Sequence, residues 1–130
     1  MTYSFENVIA WQKAHAFRLL VYEVTRHFPA DERIGLISQF RRAAVSIAAN
    51  IAEGYKKLGK ADKLRFFNIA QGSLEECRDY HILSRDLHYL REGEFEALHE
   101  SIEETSKFLN SYCKAIVNNV ATKRDELPQE

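Results

Sequence analysis

Cysteine, proline and glycine are scarce in this 130-residue chain, which holds two Cys, two Pro and five Gly. So few breakers of regular structure exclude a loop-rich or disordered chain, and two cysteines cannot build the disulfide framework of a small secreted domain. No apolar run approaches the roughly 20 residues that a membrane-spanning helix needs. Residues 1–10 lack the basic start and apolar centre of a signal peptide, so a cytoplasmic location with no membrane partner is expected. An excess of one charge is missing too, since 18 basic residues face 19 acidic ones for a net charge of −1. The chain as a whole exerts no pull on nucleic acid, and any such binding must come from a local patch.

What is present is apolar and periodic. Hydrophobic residues make up 45% of the chain and charged residues 28%, a balance that suits one helical domain burying roughly two thirds of its unfolded surface. Four segments repeat at helical spacing, with breaks at residues 29–31, 58–60 and 91–93. In the first, Ala10, Ala14, Phe17, Val21, Val24 and Phe28 fall on one face, and Pro29 ends it. The third, residues 61–90, stacks Phe66, Ala70, Ser73, Cys77, Tyr80, Ser84 and Leu87, broadened by Phe67, Leu74, Leu83 and Leu90. Gly72 within it predicts close helix contact. The fourth carries a seam of Phe95, Leu98, Ile102, Thr105, Leu109, Tyr112 and Ile116. Connections this short force antiparallel neighbours, so the expected fold is an all-α, up-down-up-down four-helix bundle over residues 1–118, with a polar tail at 119–130.

The second segment has two faces. Ile37, Phe40, Ala44, Ile47, Ala48, Ile51 and Tyr55 share an arc of about 100° and read as core. Opposite lie Gln39, Arg42, Ser46, Asn50, Glu53 and Lys57, walled by Val45, Ala49 and Ala52 on one side and by Ala43 and Gly54 on the other. Small walls let another backbone approach, and short polar groups beside an Arg and a Glu can satisfy one another across a contact, which reads as a subunit interface. The other reading is a solvated face in which alanine serves helix propensity.

Charge clusters at the segment ends. Lys56, Lys57, Lys60, Lys63 and Arg65 surround the second turn and are candidate phosphate contacts for RNA or DNA, with Lys123 and Arg124 of the tail at the same end. Glu92, Glu94, Glu96, Glu100, Glu103 and Glu104 gather at the opposite end, where the start of the fourth helix favours carboxylates. Solvation and solubility are the competing explanation of the basic cluster, and no aromatic residue lies inside that loop to stack on a base.

Enzyme chemistry finds little support. Glu96 and His99 have the spacing of a di-iron ligand pair, but that site needs a second such pair and two further carboxylates. Cys77, His81 and His88 share a helix face without a nearby carboxylate, and Cys77 reads as a core thiol. Cys77 and Cys113 stand at unequal distances from the turn near Glu92, an axial offset of roughly 9 Å that keeps them free thiols. No glycine-rich phosphate loop or spaced Ser, His and Asp arrangement is present, so no catalytic residue, metal or cofactor is expected.

The stretches "QFRRAAVSIAANIAEGY" (39–55) and "FFNIAQGSLEE" (66–76), with the opening "FENVIAWQKAHAF", are similar to one family of small bacterial proteins. These are the S23-type four-helix bundle proteins, first noticed as reading frames within intervening sequences of large ribosomal RNA genes. The resemblance covers residues 3–118. It implies a protomer that assembles into a ring, a homopentamer, with no catalytic residues and with distant kinship to the nucleic-acid-binding accessory protein of diversity-generating retroelements. The positions that match the motif are Arg41, Arg42, Ser46, Asn50, Glu53 and Gly54, then Gly72, Ser73 and Glu75. Ala48 departs from it, because relatives often carry a proline there that would remove a backbone donor and bend the helix. A non-enzymatic, ring-forming scaffold or binding protein is the expected function, a nucleic-acid accessory protein using the basic end is the alternative, and a metal-dependent enzyme is the distant third.

Overall fold

The computed structural model describes residues 3–118. Four helices account for most of them: α1 (Ile9–Thr25), α2 (Leu36–Lys56), α3 (Lys60–Asp86) and α4 (Glu94–Val117), with no strand among the described residues. Short 3-10 turns at Ser4–Asn7 and Ala30–Glu32 precede α1 and α2. Each helix packs on two neighbours around a square, α1 on α2, α2 on α3, α3 on α4 and α4 on α1, while the backbones of the diagonal pairs stay apart. Cross-helix pairs run antiparallel: Arg42 meets Glu76 and Gly54 meets Phe67 between α2 and α3, and Gln71 meets Asn110 and Arg78 meets Glu103 between α3 and α4. This is the four-helix bundle that the short connections require. The tail at 119–130, with Lys123 and Arg124, lies outside the described residues.

Helical spacing places the core. Ala10, Ala14, Phe17, Val21 and Val24 of α1 are buried, with Phe28 just beyond its end. α4 buries Leu98, Ile102, Thr105, Leu109, Tyr112 and Ile116 and leaves Phe95 half-buried. α2 buries Phe40, Ala44, Ile47, Ala48, Ile51 and Tyr55, adds Leu36, and leaves Ile37 half-buried. Each fully buried Phe, Ile or Leu contributes about 1.5–3 kcal/mol of transfer free energy. Ala48 sits in unbroken helix at this core, so the kink a proline would introduce is absent.

α3 corrects its expected register twice. The buried line runs through Lys63, Phe67, Ala70, Leu74, Cys77, His81 and Ser84, with Ser73 buried beside it as expected, while Phe66 and Tyr80 are half-buried and Leu83 and Leu87 are exposed. Burial of His81 is compatible with this turn of the helix because its Nε2–H donates to the Phe95 carbonyl at 3.0 Å. The helix also stops at Asp86, four residues before the expected end. His88 adopts a left-handed conformation with φ 62°, so Tyr89 N–H reaches back to Ser84 O and His88 N–H to Arg85 O, the hydrogen bonds of a Schellman cap.

The close approach of α2 and α3 falls at Gly54 instead of Gly72. A Cβ on Gly54 would lie 2.7 Å from Phe67 Cε1 and 3.0 Å from Phe66 Cβ, whereas one on Gly72 would meet nothing within 4 Å. Gly54, expected with Ala43 as one wall of the polar face, is therefore buried against α3, and Ala43 is buried as well. The rotation of α2 toward α3 takes Gly54 inside.

Candidate functional site

The polar residues of α2 divide between the α2–α3 seam and the outer surface. Ser73 Oγ donates to Ser46 Oγ at 2.9 Å, and Asn50 Nδ2 donates to the same oxygen at 3.0 Å and to the Ser46 carbonyl at 2.8 Å. One turn earlier Arg42 Nη2 reaches Glu76 Oε2 at 2.5 Å, and Tyr80 OH donates to that oxygen at 2.9 Å. Burial first, and then this carboxylate, push the Tyr80 hydroxyl above its ordinary range. Short polar groups do satisfy one another across a contact here, and that contact is between two helices of one chain. Arg41 points the other way, donating to Thr25 Oγ1 at 2.8 Å and to the Tyr22 carbonyl at 3.3 Å, with its guanidinium 4.6 Å from the Tyr22 ring centroid. It ties α2 to the last turns of α1. Glu75 pairs with Arg78 on its own helix, and Arg78 also reaches Glu103 of α4 at 3.2 Å. Ala49, Glu53 and Gly72 face outward.

At the basic end the five candidate cations are unequal. Lys63 is buried, its Nζ donating to the Tyr55 carbonyl at 2.6 Å in the last turn of α2, so it is withdrawn from any phosphate contact. A lysine in the first turn of α3 meets this carbonyl because α2 ends in carbonyls without intrahelical donors. Lys60 caps α4 in the same way, with Nζ 3.0 Å from the Val117 carbonyl. Lys57 Nζ and Arg65 Cζ stand 5.0 Å and 4.5 Å from the centroid of the half-buried Phe66 ring, and Arg65 lies 3.8 Å from Asp62. Lys56 is exposed.

Tertiary structure adds what the window 56–65 lacks. The 3-10 turn before α1 lays Tyr3 and Phe5 beside the end of α2, their rings stacked 5.7 Å apart and 7° from parallel. Tyr3, Phe5, Tyr55, Lys56, Lys57 and Leu58 line a cleft of about 410 Å³. No signal within the basic segment could have shown this, because the aromatic wall comes from about fifty positions earlier in the chain.

The acidic end is tied inward. His27 Nε2 lies 2.8 and 2.9 Å from the two Glu94 oxygens, and Arg91 N–H donates to Glu94 at 2.7 Å. Glu32 accepts from Leu36 N–H at 3.1 Å and from Tyr89 OH at 2.9 Å, so the hydrogen bond to Glu32 raises the Tyr89 pKa. Glu96, Glu100, Glu103 and Glu104 are exposed, Glu104 pairing with Lys13 at 3.0 Å.

Among the described residues no group of three or more His, Cys, Asp and Glu side chains is placed to hold a metal. His81 is stacked on Phe95 at 4.2 Å and held below the ordinary histidine range by burial, while His88 and His99 are exposed. Cys77 and Cys113 are free thiols. Burial raises the Cys77 thiol strongly and Cys113 to about 11, so neither is a thiolate near neutral pH. No helix in the described residues is long and apolar enough to cross a membrane.

The family model of the 23S rRNA-intervening sequence protein matches residues 6–111. Among solved structures, the chain is similar to a protein of unknown function from the S23 ribosomal protein family of Bacteroides thetaiotaomicron. The TM-score is 0.75 at 21% identity, over 86% of this chain and 99% of that one, a likeness of fold. No curated protein matches.

Proposed function

Because the chain belongs to the 23S rRNA-intervening sequence protein family, we propose that it is a non-enzymatic cytoplasmic scaffold, a helical protomer that closes with its own copies into a homopentameric ring and holds a partner on the assembled surface. One observation carries this reading. Exposed apolar side chains stand on two diagonal helices, Leu19 and Tyr22 one turn apart on α1, and Ile69 and Leu83 on one side of α3. Diagonal helices face opposite ways, so these patches are different surfaces on opposite sides of the protomer. Unlike surfaces join head to tail, and head-to-tail contacts generate rings when the rotation closes. Ala49 and Gly72, each outward and within a turn of the Ser46–Ser73 contact, leave room beside the α3 patch for a neighbour's backbone.

Ala49→Glu tests the contact. The position is exposed in the protomer and glutamate is a good helix former, so helical circular dichroism should be kept. In a tight contact the charge costs several kcal/mol, repeated around the ring, and light scattering at micromolar concentration should show the oligomer lost. Leu19→Lys should do the same from the opposite side. Wild-type oligomer mass in both variants, or a monomeric wild type, would exclude the ring built on these faces.

A further inference from the structure

The cleft at the basic end has a wall built for a flat ligand and cations on its rim. Its aromatic side is held in place: Tyr3 N–H donates to Glu6 Oε1 at 2.6 Å, Glu6 N–H to the Tyr3 carbonyl at 3.0 Å, and Gln12 Nε2 to the Glu6 carbonyl at 2.7 Å. Behind it Trp11 meets Phe5 edge to face at 5.2 Å. Tyr3 is nevertheless 69% exposed, and the side of its ring away from Phe5 is open to a ligand. Opposite stand Lys56 and Lys57, which form no salt bridge with an acid among the described residues, and the fully exposed Leu58. An exposed aromatic ring on a fixed backbone, beside the exposed Lys56 and a Lys57 whose ammonium lies over the Phe66 ring, suits a ligand with a π-face and a negative charge close to it.

We propose that this cleft takes one nucleotide of a single-stranded nucleic acid, its base stacking on Tyr3 and its flanking phosphates held by Lys56 and Lys57. The volume of about 410 Å³ falls in the range of small-ligand sites and admits one nucleotide, not a duplex. A single strand is favoured over a duplex because only unpaired bases can leave the stack for a side-chain ring. Lys60 and Lys63, which lie against helix carbonyls, take no part.

Fluorescence anisotropy with a labelled mixed-sequence RNA of about 12 nucleotides tests it. The expected result is binding at low ionic strength, tighter than to a duplex of the same length or to a polyglutamate peptide of equal charge. Tyr3→Ala should weaken it about fivefold or more while Tyr3→Phe retains it. Lys56→Gln and Lys57→Gln should each lower the slope of log affinity against log salt by about 0.7. Tyr3→Ala should keep the wild-type oligomer mass and circular dichroism, which separates this outcome from the test of the ring. No binding of the oligonucleotide, equal binding of polyglutamate, or an affinity indifferent to Tyr3→Ala would overturn the proposal.

Discussion

Where α2 turns into α3, Lys63 and Lys60 lie against the last carbonyls of α2 and α4 while Lys56 reaches solvent; at the other end, Glu32 and Glu94 turn in toward Tyr89, His27 and backbone N–H groups while Glu96 and Glu100 reach solvent. Both ends follow one rule. Helix termini expose carbonyls or N–H groups without partners, and these draw in whichever charged side chains stand within reach. A count of charge over a sequence window therefore overstates what an end offers to a partner. The two ends differ in what remains. The basic end keeps the exposed Lys56, with Lys57 over the Phe66 ring, beside an aromatic cleft, and the acidic end keeps carboxylates along an open helix face.

Lys63 against Lys56 is the sharpest way to break this comparison. Lys63→Ala removes a charged donor from a carbonyl in the last turn of α2 together with a buried stem, and should cost roughly 2–3 kcal/mol in chemical denaturation. Lys56→Ala should stay within about 0.5 kcal/mol. Equal losses would mean that the two lysines are equivalent surface charges after all.

At the other end, His88→Gly relieves a side chain held at φ 62° without disturbing the cap it closes. A gain of about 1 kcal/mol is expected, seen as a higher melting temperature. A melting temperature that falls would mean that the exposed imidazole contributes more than the strain it carries.

The smallest effect concerns His81, between α3 and the start of α4. Burial, opposed by the hydrogen bond to the Phe95 carbonyl, lowers its pKa from 6.5, with His99 and Arg85 acting in the same direction as burial and Glu96 against it. The unfolded chain then takes up a proton near pH 6.5 before the folded one does, so this site removes stability as pH falls from 7 toward 5. His81→Gln should flatten that part of the stability profile. A slope identical to wild type would assign the acid sensitivity to other groups.

How much was legible in the sequence varies by helix. The α4 stripe could be read directly, because Leu98 to Ile116 follow helical spacing with few competing apolar residues, and the α1 stripe from Ala10 to Val24 shows in its regular steps of three and four even beside Ile9, Leu19 and Tyr22. α3 has apolar residues around much of its circumference, so spacing alone left its inward line undetermined until Gly54 brought Phe67 against α2. The polar motif of α2 was visible as a motif, yet its partners were not. Ser73 and Glu76, far along the chain, meet Ser46 and Arg42 only because α2 and α3 run antiparallel in one register. His88 gave no warning as a helix stop, since a glycine is the usual residue there.

The four helices and their antiparallel order follow from the sequence by itself, because 3.6-residue periodicity and short connections act locally. The free state of the two thiols follows from it too, since helix rise sets their offset along the bundle. Which lysine is buried, which glycine carries the close contact, and which aromatic rings border the basic end were decided only by the tertiary structure. Each of these depends on the register and rotation of one packed helix against another, and those are set by side chains filling a shared core, which no single stretch of sequence contains.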